Sequence, residues 1–280
     1  MRISIAEHAG FCFGVKRAIR LAEEALSAGR QVTSLGPIIH NPQVVAHLEE
    51  MGMCVAEDVA EAHGGDLMVR THGASPEVYE QAESQGLGLI DATCPFVKRA
   101  HNAARGMLDE GYQVIVVGDR DHPETLALVG HLGGKASVVE GPDDVDGLDL
   151  TGRVGVVVQT TQRASNLCAV VSRLLPLCPE LKVANTICDA TAGRQEAAQA
   201  LALEADVMIV VGGHRSANTR RLAEICRGAG TPTYHIETAA GLQPEWFSGV
   251  EHVGLTAGAS TPDSAVQEVQ AAIEALPEHT

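Results

Sequence analysis

Seven cysteines, at positions 12, 54, 94, 168, 178, 188 and 226, and twelve histidines are the residues of this 280-residue chain best equipped for chemistry. An odd number of widely spaced thiols argues against a disulfide framework, and closely spaced C-x-x-C runs are absent. Cys12, Cys94 and Cys188 stand apart because each falls where a helix should start. Cys12-Phe13-Gly14-Val15-Lys16-Arg17-Ala18 and Cys94-Pro95-Phe96-Val97-Lys98-Arg99-Ala100 share C-x-x-V-K-R-A, and Cys188 lies between a strand at 183–186 and a helix from about Thr191. Three thiolates suit an iron–sulfur cluster that keeps one iron open to a non-protein ligand, or a zinc site built from three cysteines. Cys178-Pro179 is the rival ligand, by its likeness to Cys94-Pro95. Cys54, Cys168 and Cys226 read as buried apolar residues.

The histidines divide by context. His40, His72 and His122 each lie at or just before a predicted helix start, in Asn41-Pro42, Ser75-Pro76 and His122-Pro123, and Thr261-Pro262 makes a fourth such start. A capping residue followed by proline is the favoured opening of a helix. Helix starts present unbonded N–H groups and a positive dipole end, so several of them together suit a phosphate or diphosphate. His47, beside Glu49 and Glu50, reads as a solvated helix residue, and His101 lies inside another helix. Glu124 falls in a first helical turn, where an acid either complements the dipole or serves as a proton donor, and Thr160 offers a hydroxyl at the end of a nearby strand. Ser216 and Asn218 after Gly212-Gly213, and Ser260 after Gly258-Ala259, read either as helix caps or as groups that hold an anion. Neither G-x-G-x-x-G before a suitable helix nor G-x-x-x-x-G-K-[ST] occurs, which disfavours a nicotinamide or P-loop nucleotide site.

Positioning these groups is the task of an α/β chain. Short β-branched runs at 114–117, 154–158, 207–211 and 252–256 alternate with helical patterns, as in mainly parallel sheets. A helix over 15–28 places Val15, Ala18, Ile19, Ala22, Ala25 and Leu26 on one face, with Gly29 as its stop. The C-x-x-V-K-R-A echo, with Gly73-Ala74-Ser75-Pro76 echoed by Gly258-Ala259-Ser260-Thr261-Pro262, predicts three small pseudo-symmetric α/β units around the three cysteines. Their approximate bounds are 1–93, 94–187 and 188–280. Twenty Lys and Arg against thirty-six Asp and Glu give a net charge of −16, so long-range attraction to nucleic acid or an anionic membrane is not the purpose of the chain. No apolar run reaches the ~18 residues of a membrane span, and Met1-Arg2-Ile3-Ser4-Ile5 reads as a first strand rather than a secretory leader, so a cytoplasmic protein is expected.

Taken together, Gly10-Phe11-Cys12-Phe13-Gly14-Val15, His40-Asn41-Pro42, Thr71-His72-Gly73, Asp91-Ala92-Thr93-Cys94-Pro95, His122-Pro123-Glu124, Gln159-Thr160-Thr161, Cys188 with Ala190-Thr191 and Arg194-Gln195-Glu196-Ala197, Ser216-x-Asn218 and Thr256-Ala257-Gly258-Ala259-Ser260 resemble the LytB-type 4-hydroxy-3-methylbut-2-enyl diphosphate reductases, in order and over almost the whole chain. The resemblance implies a central 4Fe-4S cluster with Cys12, Cys94 and Cys188 as its three protein ligands and one open iron. It implies that His40, His72, Ser216, Ala217, Asn218 and Ser260 hold the diphosphate of an allylic substrate. His122 and Thr160 would line the substrate cavity and Glu124 would donate a proton. Reduced ferredoxin or flavodoxin would supply the electrons. The family often has Ser-Ser-Asn where this chain has Ser216-Ala217-Asn218, so one hydroxyl is missing and only the Ala217 backbone N–H remains to serve there. The chain stops soon after its last helix, so no tail of the kind some relatives carry is expected to contribute. A non-enzymatic iron–sulfur sensor on the same scaffold is the other reading of the cysteines, but it has no need of Glu124 or of the anion-binding set.

Overall fold

The computed structural model describes residues 1–150 and 152–276. It contains twelve strands in three sheets of four, and every strand pairing among the described residues is parallel. The first sheet runs β3(Cys54–Ala56)-β2(Val32–Leu35)-β4(Asp66–Val69)-β5(Gly88–Asp91). The second runs β7(Ala136–Val139)-β6(Gln113–Val117)-β8(Arg153–Val158)-β9(Glu180–Ala184). The third runs β11(Thr233–Ile236)-β10(Val207–Val211)-β12(His252–Ala257)-β1(Arg2–Ile5).

The three orders are one order. Each sheet places its strands second, first, third, fourth along the chain, provided β1 is counted as the fourth strand of the third sheet. The echo in the sequence is therefore a genuine repeat, closed by the amino-terminal strand. β1, which lies within the first expected segment 1–93, pairs with β12 in register Arg2 to His252. The chain divides into two compact units, one of Met1–Val15, His40–Pro42 and Asp189–Thr280 carrying the third sheet, the other of Lys16–Ile39 and Gln43–Cys188 carrying the first two.

Strands covered on both faces need continuous apolar runs, and β6, β8, β10 and β12 have them. In the third sheet Val207, Ile209, Val211, Val253 and Leu255 pack on one side against Val266, Val269 and Ile273 of α9(Asp263–Glu274). On the other side Met208 and Val210 meet Ala198 and Ala202 of α7(Asp189–Ala202) and Leu222, Ala223 and Cys226 of α8(Ala217–Gly228). The second sheet buries Val114, Val116 and Val157 against Ala100, Ala104 and Met107 of α4(Pro95–Asp109) and Leu128 of α5(Pro123–His131). Alanine-rich helix faces let helices lie close to the sheets, so the few aromatic residues are not needed as fillers.

Local punctuation follows the sequence in most places. α1(Phe13–Ser27) buries Val15, Ala18, Ala22 and Ala25 and stops before Gly29, whose φ is +74°. α2(Pro42–Glu50) and α3(Pro76–Ser84) open on their prolines as predicted. Three expectations shift. α7 begins at Asp189 rather than about Thr191, β9 ends at Ala184 rather than 186, and the cap of α9 is Pro262 itself rather than Thr261. Cys54 and Cys168 are exposed, and of the three cysteines expected in the core only Cys226 is buried. No helix among the described residues is long and apolar enough to cross a membrane.

Candidate active site

The repeat sorts the candidate residues into three classes of junction. After the first strand of each sheet come His40, then His122 with Glu124, then Ser216, Ala217 and Asn218. After the third strand come His72, Thr160 and Ser260. After the fourth come Cys94, Cys188 and Cys12. In this strand order the first and third strands are neighbours whose connections leave in opposite directions, and such switch points are where α/β sheets bind ligands. None of the candidates follows a second strand.

Each candidate cysteine is the residue immediately before a long helix: Cys12 before α1, Cys94 before α4, Cys188 before α7. Each is held there by the same bond. The backbone N–H of Cys94 donates to Thr71 O at 3.0 Å, that of Cys188 to Thr160 O at 3.1 Å, and that of Cys12 to Ala259 O at 3.1 Å. Thr71, Thr160 and Ala259 are the second residues beyond β4, β8 and β12. The fourth-strand junction of every sheet is thus fastened to its third-strand junction. All three cysteines are thiols of intermediate exposure, each at the positive end of its own helix, where negative charge is favoured. A set of three soft thiolate donors on equivalent backbone cradles fits an iron–sulfur cluster. Cys178 lacks this setting, because it precedes strand β9 rather than a helix and its thiol donates to Leu174 O at 3.5 Å.

In the second sheet, Glu124 is the second residue of α5 and only 2% exposed. Its Oε1 accepts from the backbone N–H of Thr160 at 2.6 Å and its Oε2 from the Thr160 hydroxyl at 2.8 Å, which ties the first-strand junction to the third. Burial drives its pKa from the ordinary 4.5 up to about 7; the two bonds from Thr160 pull against that rise and the charge of Asp119 adds to it. The carboxyl can therefore give up a proton near neutral pH, as a general acid must. His122 caps the same helix, its Nδ1 accepting from the Glu124 N–H at 3.2 Å. That bond puts the proton of the neutral ring on Nε2. The ring of His72 meets that of His122 edge-on, with centroids 5.2 Å apart.

The unit that carries the third sheet holds the remaining candidates. Ser216 caps α8, its Oγ accepting from the Thr219 N–H at 3.3 Å. Asn218 is 4% exposed, yet neither its Nδ2 nor its Oδ1 has a partner among the described residues. A buried amide without partners is costly unless a ligand supplies them. Ala217 is buried at the first position of the helix, where its backbone N–H has no partner within the helix. Asn41 donates its amide to Ser260 O at 2.8 Å, and the Ser260 hydroxyl donates to His40 O at 3.4 Å. A Cβ on Gly213 would stand 2.5 Å from His40 O, so only glycine permits this approach.

The chain thus carries a repeated cradle that ends in a cysteine, a buried acid with a pKa of about 7 and a buried amide without partners beside a helix start. The pattern of the family described as LytB protein matches residues 3–274. This chain belongs to that family. Among its relatives, a 4-hydroxy-3-methylbut-2-enyl diphosphate reductase of Geobacter sp. (strain M21) is 49% identical over 277 residues, 99% of this LytB chain and 98% of its own. The reductase of the same name from Aquifex aeolicus (strain VF5) is 48% identical over 278 residues, with 98% and 96% covered. Two solved structures share the fold. One, of (E)-4-hydroxy-3-methyl-but-2-enyl diphosphate reductase, the terminal enzyme of the non-mevalonate pathway, has 48% identity and a TM-score of 0.72, with 98% of this chain and 99% of that one covered. The other, the E-1-hydroxy-2-methyl-but-2-enyl-4-diphosphate reductase of Plasmodium falciparum, has 29% identity and a TM-score of 0.95, with 99% and 89% covered.

Sequence reasoning gave no role of their own to two residues that hold the candidates in place. Thr71 enters it only as a neighbour of His72, yet its carbonyl holds Cys94 and its hydroxyl donates to Ile38 O at 3.2 Å. Gln159, 1% exposed, accepts the Asp119 N–H through Oε1 at 2.8 Å and so shapes the loop that leads to Glu124. A polar residue directly after a buried apolar strand is the signal that could have found it.

Proposed function

We propose that this chain removes the allylic hydroxyl of 4-hydroxy-3-methylbut-2-enyl diphosphate by reduction, giving isopentenyl and dimethylallyl diphosphate, the last step of the non-mevalonate route to isoprenoid precursors. Two electrons and two protons enter and one water leaves. The observation that carries the chemistry is Glu124, a buried carboxyl with a pKa of about 7 bonded through both oxygens to Thr160. A 4Fe-4S cluster held by Cys12, Cys94 and Cys188, with one open iron, supplies single electrons and Lewis acidity when bound.

The chain's own residues divide the rest. Ser216, the Ala217 N–H, Asn218, Ser260 and His40 bind the diphosphate: hydroxyl, amide and helix-start N–H groups take an anion without bringing a counter-charge, in keeping with an acidic protein. His72 adds a ring donor to that set. His122 and Thr160 line the place of the leaving hydroxyl. Oε1 of Glu124 accepts the Thr160 N–H and Oε2 accepts the Thr160 hydroxyl; when the acid is protonated on Oε2 this second bond turns round, Oε2 donating to Oγ1 of Thr160, whose own hydroxyl proton is then free to move to the departing oxygen. Breaking the C–O bond in this way releases water rather than hydroxide, and the second proton ends on carbon. The electrons come from reduced ferredoxin or flavodoxin, and the working compartment is the cytoplasm, where thiols stay reduced. The repeat supports dividing the chain near residues 93 and 187, with β1 ceded to the last segment.

Anaerobic purification, followed by incubation with a chemical reductant and the allylic diphosphate, tests the reading. Brown protein that consumes the substrate only when reduced is the expected result. Colourless protein with stoichiometric zinc, or brown protein inert toward the diphosphate, would overturn it.

A further inference from the structure

Three arginines repeat the logic of the cysteines. Arg17 of α1, the fifth residue after Cys12, donates from Nη1 to Thr93 O at 3.4 Å and from Nη2 to Asp91 O at 3.3 Å. Arg99 of α4, the fifth after Cys94, donates to Ile187 O at 3.4 Å. Arg194 of α7, the sixth after Cys188, donates to Gly10 O at 2.9 Å and to Ala190 O of its own helix at 3.0 Å. Thr93 and Ile187 directly precede Cys94 and Cys188, and Gly10 stands two residues before Cys12. Each helix that one cysteine begins therefore carries an arginine that grips the loop delivering the next cysteine. The contacts run from 12 to 94, from 94 to 188 and from 188 back to 12, closing on themselves.

Helix-to-loop bonds of this kind are common as plain scaffolding, and Arg105 and Arg153 also donate to the carbonyls of His131 and Glu110; what sets the three arginines apart is their equivalent place after each cysteine and the loops they reach. Arg20 and Arg173 lie exposed and pair with the carboxylates Glu24 and Asp146, as surface arginines ordinarily do. The three arginines of the repeat instead donate to main-chain carbonyls in the loops that precede Cys12, Cys94 and Cys188. A guanidinium is permanently charged and rigid, so it fixes a carbonyl in direction as well as distance. Arg194 is the most committed of the three, at 2% exposure with the shortest bonds.

We propose that Arg17, Arg99 and Arg194 are positioning residues for the iron–sulfur cluster, a closed set of clamps in which the helix of each cysteine sets the loop of the next. The proposal rests on the assignment of Cys12, Cys94 and Cys188 as ligands. Its consequence is that loosening any clamp frees one ligand loop, so the cluster is loaded less completely and loses iron faster.

The test reconstitutes full-length apoprotein anaerobically with ferrous iron and sulfide, comparing wild type with Arg17→Gln, Arg17→Lys and Arg99→Gln. The readouts are iron per chain, the rate at which the brown absorbance bleaches in air, the EPR signal of the three-iron form, and the melting temperature of the apoprotein as a control for folding. Arg17→Gln should bleach about tenfold faster, the effect of losing a hydrogen bond from a charged donor, and accumulate the three-iron signal while its apoprotein melts as wild type does. Arg17→Lys should recover part of that loss, and Arg99→Gln, an exposed residue with a single bond to the next loop, should show about a threefold change in the same direction. Wild-type loading and bleaching in both Gln variants, or faster bleaching matched by a fall in apoprotein melting temperature, would overturn the clamps alone. Failure of the wild type itself to take up iron and sulfide would overturn the ligand assignment, and the clamps with it.

Discussion

In the second sheet β6 ends at Val117, a glycine follows, and α5 begins at Pro123 with His122 as its cap and Glu124 as its second residue. In the third sheet β10 ends at Val211, a glycine follows, and α8 begins after the same interval with Ser216 as its cap and Asn218 as its second residue. The two cradles share their spacing from strand to glycine to cap to helix, though φ is +143° at Gly212 and not positive at Gly118, and both second residues are buried. One carries a carboxyl and the other an amide, and their circumstances are opposed. Glu124 is gripped by Thr160 and holds its proton up to about pH 7, whereas the amide of Asn218 finds no partner within the described chain. An acid tolerates burial only when it is bonded or protonated, so this cradle suits the delivery of a proton. A neutral amide at a helix start neither repels an anion nor is satisfied without one, so the other cradle suits capture.

The sharpest way to break the comparison is to erase the acid. Glu124→Gln keeps the shape and loses the proton, and kcat should fall by about 10²–10⁴-fold while iron content and substrate binding stay near wild type. Normal turnover would remove Glu124 from the proton path. The reciprocal change, Asn218→Asp, places an acid where the diphosphate is expected, and KM should rise by about a hundredfold with a much smaller effect on kcat. Equal losses in both parameters would mean that residue 218 is not a binding group. Thr160→Val deletes the hydroxyl that relays the proton but keeps the backbone bond to Oε1; kcat should drop by about a hundredfold.

The pH dependence sharpens the contrast further. The donor is the protonated acid, so kcat should decline as pH rises through about 7, and that limb should vanish in Glu124→Gln. In Thr160→Val the limb should move to higher pH, since the lost bond favoured the ionised form. Stability follows the same sign: with a folded-state pKa above the ordinary 4.5, Glu124 contributes stability that is fully present below pH 4.5 and lost as pH climbs through about 7. Melting curves of the apoprotein across this window should slope downward, and those of Glu124→Gln should slope less. Ala217→Ser, which supplies the hydroxyl the family often carries, is the mildest test. It should lower KM by less than about threefold, a shift readable in competition with inorganic diphosphate.

Much of this architecture could be read before any coordinates. Buried valine runs marked the central strands, and proline after a capping residue marked α2, α3 and α5, because both signals are local. The C-x-x-V-K-R-A echo was legible for the same reason: α1 and α4 hold equivalent places in the repeat, so similar constraints act on them. What escaped was non-local. Nothing in Arg2–Ile5 announces that its partner is His252–Leu255, and nothing in Thr160 announces that its amide and hydroxyl hold Glu124. The carbonyl acceptors of the cysteine N–H groups are main-chain atoms, on which residue type leaves no trace. Cys54 and Cys168 misled because cysteine is so often buried that exposure has no sequence signal.

The pairing of β1 with β12 also bears on how the protein matures. Their partners Arg2 and His252 stand 250 positions apart, so β1 is made long before its neighbour. The bond that seats Cys12 depends on Ala259, later still. On the ligand set proposed above, Cys12 would lack its seat until Ala259 is made, so the cluster would be loaded after that stretch of chain and not before.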